Sequence, residues 1–245
     1  MSYKLGLTSV SFRDSSPEEI LKEMKKCGLK YIEWGCDIHA PTKNAKQISE
    51  LTKKYGIICS SYGTYFRLGE TALTELSEYI FAAKELETNI LRIWCGNKAP
   101  EQYSDDELTE LISISKEASL IAEKNNVILC LECHRGTLTY NADSALSLMK
   151  TVNSKHFRMY WQPQQFMTDV QNLHYAEVIA PYTENIHVFN WKKEERFPLE
   201  SATDVWKQYL SKFKNDKVLL LEFMPDDNIE SLKREADALR KIAGE

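Results

Sequence analysis

Eight times along this chain a short apolar run is followed by a longer amphipathic one. Leu5–Val10 reads as a strand, and Ser16-Pro17-Glu18-Glu19 opens a helix with an N-cap serine, a first-turn proline and early acids. Gly28 ends that helix, and Tyr31–Trp34 forms the next strand. The same rhythm predicts strands at Ile57–Tyr62, Asn89–Trp94, Val127–Glu132, Arg158–Trp161, Asn185–Phe189 and Val218–Phe223. Helices fall between and after them, at 44–55, 71–86, 104–124, 141–151, 169–180, 202–213 and 227–242. Eight β/α units without an antiparallel signal favour an α/β fold, the closed (β/α)8 TIM barrel, over an open doubly wound sheet. No Pro/Gly/Ser-rich linker divides the 245 residues, so residues 1–245 read as a single domain.

The run Val127-Ile-Leu-Cys-Leu-Glu-Cys-His134 is apolar on both faces until it ends in a carboxylate and an imidazole. Strand alternation puts Ile128, Cys130, Glu132 and His134 on one face and Val127, Leu129 and Leu131 on the other. A strand apolar on both faces is buried on both, as in a helix-covered parallel sheet. A carboxylate there needs a partner to offset its desolvation: a metal ion, an arginine, or a surface position. The odd spacing of Cys130 and Cys133 sends them to opposite faces, so this C-x-x-C reads as free buried thiols rather than a zinc or redox motif.

The net charge of -5 argues against a general nucleic-acid binder. No run of about 18 apolar residues suggests a membrane span, and the N-terminus lacks a signal peptide's apolar core. The expectation is a cytoplasmic protein. There is neither a G-x-G-x-x-G nor a G-x-x-x-x-G-K-[ST] loop to cradle a nucleotide phosphate.

Function in such barrels sits where strands end and βα loops begin. Strand 5 ends in Glu132, with His134 two residues on; strand 6 ends in Trp161-Gln162-Pro163; strand 7 carries His187; strand 8 carries Glu222. These strands are consecutive around the barrel, so Glu132, Gln162, His187 and Glu222 converge on one point if all face inward. Two carboxylates, an amide oxygen and an imidazole form a mixed O/N donor set suited to one divalent ion. Mn2+ is the first expectation, with Zn2+, Co2+ and Mg2+ as the others. Taken singly, a strand histidine is commonly a satisfied core group, and a lone glutamate can cap a loop; four such residues on adjacent strand ends are harder to dismiss.

Further polar groups lie near the same rim. Glu33 and Arg92 can share a barrel layer as a buried ion pair, with Glu33 also a candidate substrate contact. His39, Arg67 and Asn97 read as solvated loop residues. His134 and Arg135 follow strand 5, and Lys192, Lys193 and Arg196 follow strand 7. One of these, Lys193 among the candidates, can meet a substrate phosphate or carboxylate, although the run 192–196 also holds two glutamates and reads by default as a solvated face. Trp34, Trp94, Trp161 and Trp191 fall at strand ends, where indole faces can stack on sugar C–H surfaces or simply cap the core.

With these residues in place, the chain resembles the xylose isomerase-like family of sugar isomerases and epimerases. The resemblance spans the whole chain and is carried by Tyr31-Ile32-Glu33-Trp34, Leu131-Glu132-Cys133-His134, Ile186-His187 and Leu221-Glu222-Phe223. It implies metal-binding glutamates at Glu132 and Glu222 and a metal-binding histidine at His187. It also implies isomerisation or epimerisation of a sugar or polyol through an enediolate. Glu132 and Glu222 would then be the acid/base pair as well as ligands. Relatives resembling ketose 3-epimerases carry Asp-x-x-His after strand 6; here the matching stretch is Gln162-Pro163-Gln164-Gln165. Gln162 still offers a carbonyl oxygen but no charge, and Gln165 can bind a hydroxyl but cannot shuttle a proton as histidine does.

Two other readings stay open. A dehydratase of the inosose type would use the same ion and bases but expel a hydroxyl. A barrel that binds a sugar without turning it over would account for Gln162 and Gln165. The multi-zinc endonucleases related to this family need more histidines and acids than the chain offers. The partner expected is a small sugar or polyol, with no nucleic acid or membrane, and a homo-oligomer is left open.

Overall fold

A computed structural model describes residues 3–214 and 216–245. Eight parallel strands close into a barrel: β1 Lys4–Thr8, β2 Tyr31–Gly35, β3 Ile58–Leu68, β4 Ile90–Cys95, β5 Ile128–Glu132, β6 Phe157–Trp161, β7 Thr183–Val188 and β8 Val218–Leu221. β1 pairs with β8 in register Leu5↔Leu219 and with β2 in register Leu7↔Ile32, so the barrel itself has no free edge. The helices α1 Pro17–Lys26, α2 Ala45–Lys54, α3 Leu76–Glu85, α4 Asp105–Asn125, α5 Ala142–Val152, α6 Asp169–Ile179, α7 Thr203–Leu210 and α8 Leu232–Ala243 follow the strands in turn.

Local chemistry sets these boundaries. Ser16 accepts from the Glu19 amide while the Glu19 carboxylate accepts from the Ser16 amide, and Ser104 and Glu107 repeat the arrangement at α4. Each such cap contributes about 1 kcal/mol to its helix. Two helices start later than the sequence pattern implies. Turns of 3-10 helix at Leu73–Glu75 and Ile229–Ser231 precede α3 and α8, the latter capped by Asn228. A short antiparallel hairpin pairing Trp191–Lys192 with Glu195–Arg196 was also not expected. It turns on Lys193, which carries a positive φ of 55°.

Strand parity divides the core in two. Outward residues such as Leu7, Ile32, Leu131, Trp161 and Leu219 pack under the helices. Inward residues Cys130, Tyr160, Val218 and Leu220 fill the base of the barrel. Cys130 and Cys133 therefore lie on opposite sides of one strand, both buried and both free. Glycine makes room at the upper layer. A Cβ on Gly63 would stand 2.8 Å from Glu33 Oε1 and 2.9 Å from an Arg92 nitrogen, closer than real contacts allow. Among the described residues no helix is long and apolar enough to cross a membrane.

Candidate active site

Above the apolar base, charged side chains fill the barrel. Arg92, on β4, donates from Nε to Glu33 Oε1 at 2.9 Å and from Nη1 to Glu132 Oε2 at 2.6 Å. All three side chains are buried. The Glu33–Arg92 pair expected from the sequence is thus present, but Arg92 also bridges to the next strand. Register explains the reach: Arg92 lies opposite Cys130, so Glu132 stands one inward step higher, within range of a long guanidinium fork. Trp94, the next inward residue of β4, donates Nε1–H to the same Glu132 oxygen at 2.6 Å. Glu132 Oε2 is therefore fully engaged, and Oε1 is left to face the barrel axis.

On that axis lies His187, wholly buried. Its Nδ1 is 3.0 Å from Gln162 Oε1, 3.4 Å from Glu222 Oε2 and 3.7 Å from Glu132 Oε1. One donor atom each from Glu132, His187 and Glu222 lie within 4.8 Å of one another. The structure thus brings together all four residues that the sequence singled out at consecutive strand ends. On its other side, His187 Nε2 faces Glu33 Oε1 at 3.4 Å, a charge contact rather than an aligned hydrogen bond. The Gln162 amide oxygen only accepts, so in the ion-free site Nδ1 carries a proton toward it. An ion held by Nδ1 would replace that proton, and the Glu33 carboxylate behind the ring would then favour the Nε2–H tautomer of a metal-ligating histidine.

The charge count points the same way. Glu33, Glu132 and Glu222 carry three negative charges, Arg92 one positive, and Gln162 none. The enclosed balance with neutral His187 is about -2, which one divalent ion cancels. Without an ion, protons take over that role. Burial pushes the Glu222 carboxyl up to about 7, with Glu132 adding to the rise against the opposing pull of His187. Burial alone would lower His187, but Glu222 and Glu33 hold it at about 10. Burial would raise Glu132 and Glu33 as well; the Arg92 guanidinium outweighs it, taking Glu33 to about 2 and Glu132 lower still. The donor set fits a divalent ion in both geometry and charge, and Mn2+, Zn2+, Co2+ and Mg2+ all accept such ligands.

The cluster opens into a cavity of about 420 Å3 at the C-terminal end of the barrel. Glu132, Gln162 and Glu222 form its floor, and Trp94, His134, Gln165 and Trp191 stand in its walls. The aromatic expectation divides by parity. Trp34 faces outward and donates to Thr52 Oγ1 at 3.0 Å, and Trp161 packs outward among Trp206, Tyr209 and Phe213, so neither reaches the cavity. Glu33 is sealed below the floor, and Lys193 projects into solvent from the hairpin turn; neither lines the cavity. Lys193 is tied to the wall only through its backbone N–H, donated to the Gln165 carbonyl at 2.9 Å. His39 is a buried structural group, with Nδ1 3.1 Å from Ser9 Oγ. Sequence reasoning missed Arg13, Tyr65, Phe189 and Phe223, which complete the walls. Phe223 is held at a positive φ of 51°, rare for an aromatic residue, directly after Glu222.

Fold and site together define a (β/α)8 barrel with a buried carboxylate–histidine cluster at the C-terminal end of its strands. The chain matches the xylose isomerase-like TIM barrel family over residues 21–242 and belongs to it. Among solved structures it is similar to the probable 3-DHS dehydratase AsbF of Bacillus anthracis, involved in petrobactin synthesis (18% identity, 98% of each chain, TM-score 0.82). It is also similar to an IOLI protein with a bound zinc atom (16% identity, 98% of each chain, TM-score 0.78). A third is D-psicose 3-epimerase with D-tagatose from Clostridium cellulolyticum H10 (12% identity, 96% of each chain, TM-score 0.71). At these identities the likeness speaks to fold alone. No curated protein matches the chain by sequence.

Proposed function

We propose that this protein is a divalent-metal-dependent isomerase or epimerase acting on a sugar or polyol by proton transfer next to a carbonyl. The observation that carries the reading is the convergence of Glu132, Gln162, His187 and Glu222 on one point, within surroundings of charge about -2. A bound divalent ion supplies a Lewis acid for negative charge developing on a substrate oxygen.

The two floor glutamates are not equivalent. Glu132 Oε2 accepts from both Arg92 and Trp94, so Glu132 stays ionised and fixed. The Glu222 carboxylate accepts no hydrogen bond among the described residues, and burial brings it to about 7. That proton belongs to the ion-free site; with an ion bound, Glu222 is still the floor carboxylate that no fixed donor holds, and so the one freer to take and return a proton. His134 and Gln165 are placed to bind substrate hydroxyls, while Trp94 and Trp191 cover C–H faces and exclude water. A single mobile proton on Glu222 suits transfer between neighbouring carbons. Epimerisation through both faces would further require Glu132 to release its two donors. The same asymmetry favours a second reading, dehydration, in which Glu222 removes a proton and returns it to the departing hydroxyl.

Purified protein should hold about one equivalent of a divalent ion, lost in Glu222→Ala. With Mn2+ added, a panel of ketoses, aldoses and inositol derivatives in D2O should reveal a substrate that exchanges a carbon-bound hydrogen. A protein that binds no divalent ion, or turnover without any deuterium entering substrate or product across the panel, overturns the reading.

A further inference from the structure

We propose that the cavity selects a substrate bearing an anionic carboxylate or phosphate group, and that Arg135 holds it; this rests on the proposed function for the rest of the substrate. The inference comes from an inventory of charge around the cavity. Its only acidic wall residues, among those described, are Glu132 and Glu222, both on the floor. Its basic residues are Arg13, Arg92 and Arg135, with His134 beside them. Arg92 is spent on Glu33 and Glu132. Arg13 is paired with Asp37 at the rim. Arg135 has no carboxylate partner among the described residues. With Arg92 and Arg13 both paired, Arg135 is the one arginine of the cavity lining, among the described residues, left without a carboxylate, so an anionic group that enters the cavity meets an uncompensated positive charge there.

The position of Arg135 is built rather than incidental. Its guanidinium stacks on Phe166, 4.7 Å from the ring centroid. Stacking engages the flat face and leaves the N–H edge free for a planar anion. Its carbonyl oxygen is 2.7 Å from His134 Nδ1, which must carry the proton because a carbonyl only accepts. The His134 ring packs 5.5 Å from Trp94, and Trp94 donates to Glu132. A continuous set of contacts therefore runs from the floor to Arg135. A substrate with its reacting carbons over Glu222 can extend along this wall and end its anionic group at the guanidinium.

The test compares three probes of similar size by calorimetry on the Mn2+-loaded protein: glucitol, gluconate and glucitol 6-phosphate. At least one anion should bind about tenfold or more tightly than glucitol. The preference should weaken with added salt and shrink to within about threefold in Arg135→Gln. Which anion gains more separates carboxylate from phosphate. Equal affinities, a preference unchanged in Arg135→Gln, or no binding of any probe would each overturn the proposal. Arg135 is exposed, so unchanged thermal unfolding of the variant checks that the fold is intact. Because gluconate can also touch the ion, the series is repeated after chelation, where a preference borne by Arg135 persists. A protein that takes up no Mn2+ defeats the metal-dependent function, while the Arg135 comparison still decides this inference.

Discussion

Replacing Arg92 by methionine keeps much of the side-chain volume and removes the guanidinium charge inside the barrel. Two buried carboxylates then lose a guanidinium partner, at 2.9 Å for Glu33 and 2.6 Å for Glu132. At an effective dielectric of about 20 each gross attraction is on the order of 5 kcal/mol. The desolvation cost of Arg92 itself disappears as well, so the net loss is smaller. Breaking a buried ion pair by deleting one partner costs about 3–5 kcal/mol. For a chain of 245 residues that is a fall in Tm of roughly 6–20 °C. The charge count makes a sharper demand. Without Arg92 the enclosed balance moves from about -2 to about -3, so a divalent ion relieves more repulsion in the variant. Thermal unfolding by circular dichroism, first with chelator and then with excess Mn2+, should show a larger ion-induced rise in Tm for Arg92→Met than for the wild type. A fall of under about 2 °C, or equal ion responses, would show that Glu33, Glu132 and the ion do not share one electrostatic unit.

Two further perturbations address single residues. Gln162→Glu places a fourth carboxylate where Oε1 now stands 3.0 Å from His187 Nδ1; calorimetry should show Mn2+ affinity rising about tenfold, while the ion-free protein loses stability. In the wild type that affinity should increase from pH 6 to pH 8. The ion must displace protons from Glu222, at about 7, and His187, at about 10, and affinity that is flat with pH would contradict the assigned donors. Phe223 has φ 51°, so glycine there should be more stable than alanine by about 1 kcal/mol, reversing the usual order. Urea unfolding of Phe223→Gly and Phe223→Ala measures this directly, and an alanine variant at least as stable would refute the left-handed backbone.

The barrel was legible because periodicity and punctuation agree in nearly every unit: capping serines, glycines at helix ends and strands apolar on both faces leave little choice of architecture. The departures come where those signals compete. Thr71–Leu86 carries a helical pattern from its start, yet Leu73–Glu75 winds as a 3-10 turn before α3. The hairpin at 191–196 escaped notice because its turn residue is Lys193, which has no intrinsic preference for a positive φ. That missed turn also explains why Lys193 projects away from the cavity it was expected to line. The tryptophans could have been sorted from spacing alone. Trp94 shares parity with Arg92 and faces in, whereas Trp34 and Trp161 each adjoin an inward residue, Glu33 and Tyr160, and so must face out.

Parity carried the four-residue cluster equally well, yet it could not rank its members. Glu132 and Glu222 both end apolar strands and look interchangeable in sequence. Their difference arises from what stands on the neighbouring strand. β4 presents Arg92 and Trp94 to Glu132, and both donate to one oxygen. β7 presents His187 to Glu222 at 3.4 Å, and no donor among the described residues completes a hydrogen bond to that carboxylate. A carboxylate with two strong donors is a poor base however close it lies to substrate, while a buried one without them holds its proton to near neutrality. Moving the Arg92 charge would therefore do more than destabilise the barrel. It would free Glu132 and make the two glutamates alike, so an Arg92→Met protein that still folds with its ion should lose the distinction on which a single-base reaction depends.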